Sequence, residues 1–232
     1  MQTDLKTSVQ RSSQFVQDAV SIIITTGKEA IARSGLFRLG LAGGNTPKAV
    51  YAALADQPDA LPWDRVQITF GDERCVPPDH ADSNYRMAHE ALLSRVPIPE
   101  GNVFRIKGEI PHEQAAQECE SRLAAVAARF GEERYAHDLL LLGLGEDGHT
   151  ASLFPGSPAL DEAARNVIPA TGPKPPPQRI TFTFPLINAS KMVLFLLNDP
   201  KKEGILQGAL KGEYPSGKVV PTRGRVVWLA GE

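Results

Sequence analysis

Cysteine is nearly missing from this chain: Cys75 and Cys119 are the only two, far apart and without metal-ligand spacing. They cannot form a disulfide framework, and they read as reduced thiols of a cytoplasmic protein. Long hydrophobic runs are missing too, since no stretch approaches the roughly 20 apolar residues of a membrane span. Met1 to Gln10 is polar and holds no signal-peptide core. Neither charge sign dominates. With 25 Lys and Arg against 27 Asp and Glu the formal net charge is −2, so nothing favours nucleic acid or a membrane surface as partner. No repeat and no G-x-S-x-G nucleophile elbow occurs. Cys75, His80 and His89 match no standard zinc spacing.

What is present centres on Asp138 to Pro155, D-L-L-L-L-G-L-G-E-D-G-H-T-A-S-L-F-P. Four consecutive leucines predict a strand buried on both faces, as in a parallel sheet. Gly143, Gly145 and Gly148 follow, and there the backbone is free to approach a ligand closely. Asp147 and His149 therefore fall just past the carboxyl end of a central strand, where open α/β sheets bind ligands. A lone histidine is more often structural than catalytic; the flanking glycines, the neighbouring carboxylate and the strand-end position favour catalysis. Gly143 to Gly148 also spells G-x-G-x-x-G. The dinucleotide reading fails, because Pro155 leaves room for only a turn or so of helix, and Asp161 and Glu162 precede the next apolar run instead of ending it.

Taken in order, Ser12 or Ser13 caps a helix with Phe15, Ala19, Ile22, Ile23 and Ala30 on one face and Gly35 as its stop. Phe37, Leu39 and Leu41 alternate as a strand that ends in L-A-G-G-N-T-P. Asn45 or Thr46 fits the N-cap of the next helix and Pro47 its first position. Two glycines before a helix start expose N–H groups to a phosphate, although a tight strand-to-helix turn explains them as well. Val66 to Phe70 form a third strand, closed by Gly71, Asp72, Glu73 and Arg74, which read as a site or a solvated loop. Asn84 to Leu93 and His112 to Phe130 are helical.

Asn166 to Ala170, Ile180 to Phe184, Met192 to Leu197 and Val226 to Leu229 read as strands. The proline-rich T-G-P-K-P-P-P-Q-R forms a stiff loop presenting Lys174 and Arg179. Pro200 to Leu210 is a helix with Lys201 and Lys202 in its first turn, where cations oppose the helix dipole and a bound anion would offset them. Gly212 to Lys218 imitates a P-loop, but Val219 stands where a magnesium-binding hydroxyl is needed. Alternating strands and helices over 1–232 predict one α/β domain, three-layered with a mostly parallel sheet.

Four segments, in one order, go beyond patterning: L-A-G-G-N-T-P, G-D-E-R-C-V-P-P-D-H-A-D-S-N-Y, G-L-G-E-D-G-H-T-A-S-L-F-P and K-P-P-P-Q-R-I-T-F-T. Together they resemble the 6-phosphogluconolactonase family, similar in fold to glucosamine-6-phosphate deaminase/isomerase, a modified Rossmann-like architecture. The resemblance implies hydrolysis of 6-phospho-D-glucono-1,5-lactone to 6-phosphogluconate in the oxidative pentose phosphate pathway, without metal or cofactor. It implies His149 as general base with Asp147 beside it. It places Gly43, Gly44, Asn45 and Thr46 near the phosphate, and Asp72, Arg74, Lys174, Arg179 and Lys201 around the substrate. Asn198 stands where many relatives have glycine before this lysine.

The chemistry agrees. A lactone needs water activated near neutral pH, which suits an imidazole, and donors for the charge growing on the carbonyl oxygen. Two rivals are an aldose–ketose isomerase/deaminase of the same fold and a sugar-phosphate sensor. The deaminating relatives resemble D-E-Y where this chain has Asp72, Glu73 and Arg74, and a sensor would carry a DNA-binding helix-turn-helix that is not evident here. The expected partner is a small sugar-phosphate lactone, and the expected state is a monomer or small homo-oligomer.

Overall fold

In the computed structural model, which describes residues 6–232, Leu139–Leu142 form a strand in which no residue is more than 1% exposed. An all-apolar run of this kind needs cover on both faces, and the surrounding elements supply it. In chain order these are β1 (Thr7–Ser12), α1 (Phe15–Ser34), β2 (Phe37–Leu41), α2 (Asn45–Ala55), β3 (Val66–Phe70), β4 (Asp72–Arg74), α3 (Asn84–Ala91) and α4 (His112–Arg129). Then follow β5 (Leu139–Leu142), β6 (Val167–Thr171), β7 (Gln178–Phe182), α5 (Phe184–Ile187), β8 (Met192–Leu197), α6 (Glu203–Leu210) and β9 (Arg225–Gly231). A six-stranded sheet runs β1-β9-β8-β5-β2-β3, with every neighbouring pair parallel. The fold is α/β on a parallel sheet. From β2 the chain moves outward to β3 and then returns to β2's other side as β5. The winding direction reverses there, which opens a crevice outside the carboxyl ends of β2 and β5.

A second sheet, antiparallel in the order β4-β7-β6, was not legible in the sequence. It takes G-D-E-R out of the predicted loop and makes it a strand. It also moves Arg179 out of the proline-rich loop: the residue lies in β7, directly opposite Arg74 of β4. Only Lys174 belongs to the connection between β6 and β7. One cluster of buried apolar side chains spans both sheets, from Leu39 and Leu140 to Val167 and Phe182.

Several local expectations change. Ser12 ends β1, and its Oγ accepts the Gln14 N–H at 3.0 Å instead of capping α1, whose N-cap is Gln14. Gly44, not Asn45 or Thr46, caps α2, so Pro47 is the third helical residue, where an intrahelical N–H bond is still not required. β2 is buried at all five positions because it sits inside the sheet, so its alternation does not mark one wet face. His149 to Phe154 forms turns and no helix.

At the amino end of β5, His137 is wholly buried, with Nε2 2.8 Å from Thr69 Oγ1. Burial, with Arg38 nearby, lowers its pKa to about 3. In the unfolded chain the ring titrates near ~6.5. Between those values the unfolded chain binds a proton that the folded chain refuses, so stability is lost as pH falls, at about 1.4 kcal/mol per unit. Urea unfolding between about pH 6.5 and pH 4 should show His137→Gln losing roughly 3 kcal/mol less than the parent protein. Equal slopes would mean that His137 is protonated in the fold.

Candidate active site

The crevice between β2 and β5 holds a cavity of about 480 Å³. On the β2 side, Tyr51 fixes the strand end, its hydroxyl accepting from the Ala42 N–H at 2.8 Å and donating to the Ala42 carbonyl at 2.9 Å. Gly43 follows, and a Cβ there would stand 2.0 Å from Asn84 Oδ1, so only glycine allows the asparagine amide to close over the turn. The first N–H groups of α2 have no intrahelical acceptor, and Gly43 to Thr46 line the cavity.

On the β5 side the chain folds back on itself. Thr150 Oγ1 donates to the Gly143 carbonyl at 2.9 Å, and the Gly145 N–H donates to the His149 carbonyl at 2.9 Å. Asp147 Oδ1 lies 2.5 Å from His149 Nδ1 and accepts the His149 backbone N–H at 3.2 Å. A side chain at 145 would strike the ring, 2.1 Å from Nδ1. Partial burial pushes the Asp147 carboxyl up, but the hydrogen bonds from the His149 ring and backbone outweigh it and leave the group below its ordinary value. An ionised carboxylate only accepts, so Nδ1 carries a proton, and in the neutral ring the lone pair is then on Nε2. That is the tautomer a general base needs.

Across the cavity lining, Arg74 and Arg179 face each other in the β4–β7 register. Like charges placed opposite one another destabilise a strand pair. Arg179 is 7% exposed, its Nη1 has no hydrogen-bond partner, and burial followed by the charge of Arg74 holds its pKa below the usual value. An anion between the two guanidinium groups would relieve both defects. Lys174 lines the same cavity.

Residues 10–228 match the family described as glucosamine-6-phosphate isomerases/6-phosphogluconolactonase. The chain belongs to this family. It is 42% identical over 221 residues to a 6-phosphogluconolactonase of Synechocystis, covering 93% of this chain and 90% of that one. It is 40% identical over 236 residues to the human 6-phosphogluconolactonase, covering 97% and 90%. Among solved structures, the Thermotoga maritima 6-phosphogluconolactonase superposes with a TM-score of 0.85 at 32% identity, covering 97% of this chain and all of that one.

Ten of the eleven residues expected at this isomerase/lactonase site line the cavity: Gly43, Gly44, Asn45, Thr46, Asp72, Arg74, Asp147, His149, Lys174 and Arg179. The eleventh, Lys201, does not. Lys202 does line it, with Nζ donating to the Leu144 carbonyl at 2.6 Å. Both lysines lie in a single 3₁₀ turn, Pro200–Lys202, where neighbours diverge by about 120°, so only one faces the cavity. Asn84, Ser152 and Phe154 were also missed, although each falls within or beside a quoted motif. The Phe154 ring centroid is 4.4 Å from that of His149.

Proposed function

We propose that this protein hydrolyses 6-phospho-D-glucono-1,5-lactone to 6-phospho-D-gluconate, the lactonase step of the oxidative pentose phosphate pathway. The observation that carries the reading is that the Asp147–His149 pair and the opposed Arg74 and Arg179 share one cavity. Relatives of 40 and 42% identity bear the lactonase name. His149 Nε2 takes a proton from water while the oxygen attacks the lactone carbonyl, and Asp147 steadies the imidazolium that forms. The ring C–O bond then breaks, and the departing ring oxygen takes the proton back from His149. Arg74, Arg179 and the α2 N-terminus hold the phosphate.

No step requires a metal. Asp147 is committed to His149, and Asp72 accepts hydrogen bonds from Asn84 and Ser152. Residues 1–232 act as one unit, as a monomer or small homo-oligomer. Among the described residues no helix is long and apolar enough to cross a membrane. We place the activity in the cytoplasm, which keeps the unpaired Cys75 and Cys119 reduced.

Turnover of the phosphorylated lactone, with spontaneous hydrolysis subtracted, tests the reading. Activity should be at least several-fold above that on unphosphorylated gluconolactone and should survive exhaustive chelation. Loss on chelation, restored by one divalent ion, would overturn the metal-free mechanism. No preference for the phosphorylated substrate would overturn the substrate.

A further inference from the structure

We propose that Asp72 is a positioning residue for His149, acting through Ser152 and not by contact with substrate. The proposal rests on the general-base reading of His149. Two residues beyond that histidine, Ala151 has φ +48°, the one non-glycine residue in the left-handed region among the described residues. Such a conformation crowds a Cβ and persists only where its neighbours over-determine it. Both neighbours are 1% exposed and tied down. Thr150 bonds within the turn, to the Gly143 carbonyl. Ser152 bonds outward: its N–H donates to Thr181 Oγ1 at 3.1 Å and its hydroxyl to Asp72 Oδ2 at 2.6 Å.

Those two acceptors form one cross-strand pair, because Asp72 of β4 stands opposite Thr181 of β7. The catalytic turn is therefore docked onto a single rung of the second sheet, three residues past the base. That rung is itself braced. Asn84 Nδ2 donates to the Asp72 carbonyl at 2.9 Å and to Oδ1 at 3.1 Å. Glu73, 2% exposed, accepts the Asn84 and Tyr85 N–H groups at 2.7 and 2.8 Å and holds the start of α3 against β4. Each Asp72 oxygen thus has a protein donor, and the short hydroxyl contact has the length of a charge-assisted bond. Without the Ser152 tie, the strained turn is free to relax and to carry the imidazole out of register with the water it must deprotonate. Small displacements of a base cost large factors in rate.

The experiment is a double-mutant cycle on kcat. Ser152→Ala should lower kcat roughly 10-fold or more, the scale of a hydrogen bond to a charged group, with KM for the phosphorylated lactone within about twofold of the parent value. Asp72→Asn, of equal volume but with half the acceptor capacity, should lower kcat in the same direction. In a His149→Ala background the same changes should cost less than about twofold, because the residue they position has gone. Ala151→Gly, which removes the crowded Cβ, should restore part of the activity of Ser152→Ala. Thermal melts establish that each variant is folded at the assay temperature. An equal loss in both backgrounds would assign Ser152 and Asp72 to the fold alone, and an undiminished kcat in Ser152→Ala would remove the tether; either overturns the proposal. His149→Ala by itself reports separately on the general-base reading.

Discussion

Replacing His149 with alanine should lower kcat roughly 10²- to 10⁴-fold while KM for the phosphorylated lactone changes little, since general-base assistance is worth about that much. The size of the loss follows from the geometry. Asp147 fixes the Nδ1–H tautomer at 2.5 Å, so the only lone pair on the ring is at Nε2, and no other imidazole lines the cavity among the described residues. Asp147→Asn is a sharper probe than deletion. An asparagine amide that donates to Nδ1 moves the ring proton to Nε2 and removes the base without removing the histidine. It should therefore lose most of what His149→Ala loses, whereas Asp147→Glu should keep part of the activity. Rapid assays that follow acid release, corrected for uncatalysed opening of the lactone, give both numbers. Near-parental turnover in His149→Ala would end the assignment.

Arg179→Ala should cost roughly 10- to 150-fold in kcat/KM for the phosphorylated lactone, the range of one hydrogen bond to a charged group. Slow hydrolysis of unphosphorylated gluconolactone should change far less, because that substrate never used the contact. Arg179→Lys should recover only part of the loss, since an ammonium brings charge without the two-pronged donor geometry. The side chain sits in β7 with an unpaired Nη1, so its stem also packs and truncation leaves a void. Arg179→Met fills that void without the charge and separates packing from binding. If both lactones slow equally in Arg179→Met, the residue serves the fold or the chemistry and not the phosphate.

What the sequence conveyed depended on how local the cause was. β5 and β8 are continuous apolar runs, and α4 repeats its alanines and leucine on one face, so each announces itself within its own residues. β4 does not. Asp72, Glu73 and Arg74 have no apolar pattern, and they are a strand only because β7, about a hundred residues later, pairs with them. β1 is equally silent: T-S-V-Q-R-S is a polar edge strand in which Ser12 alone is buried. The site followed the same rule. Asp147 and His149 share one turn and were legible together, whereas Ser152 gains its role from Asp72, eighty positions away. Which of Lys201 and Lys202 lines the cavity is set by the phase of one short turn.

The pairing of β1 with β9 has a consequence for how the molecule comes into being. Among the described residues β1 has no other sheet neighbour, and its register runs from Thr7↔Val226 to Ser12↔Gly231. A chain emerging from the ribosome must therefore hold β1 unmatched until β9 has been made. Closing so long a loop delays the reward for ordering either strand and favours slow completion of the sheet. The polar character of β1 fits that wait, because an apolar strand left idle would invite pairing with other chains. Because the two strands run parallel, the start of β1 and the end of β9 lie at opposite ends of the pair, so any link that made this pairing local would have to cross back along the sheet.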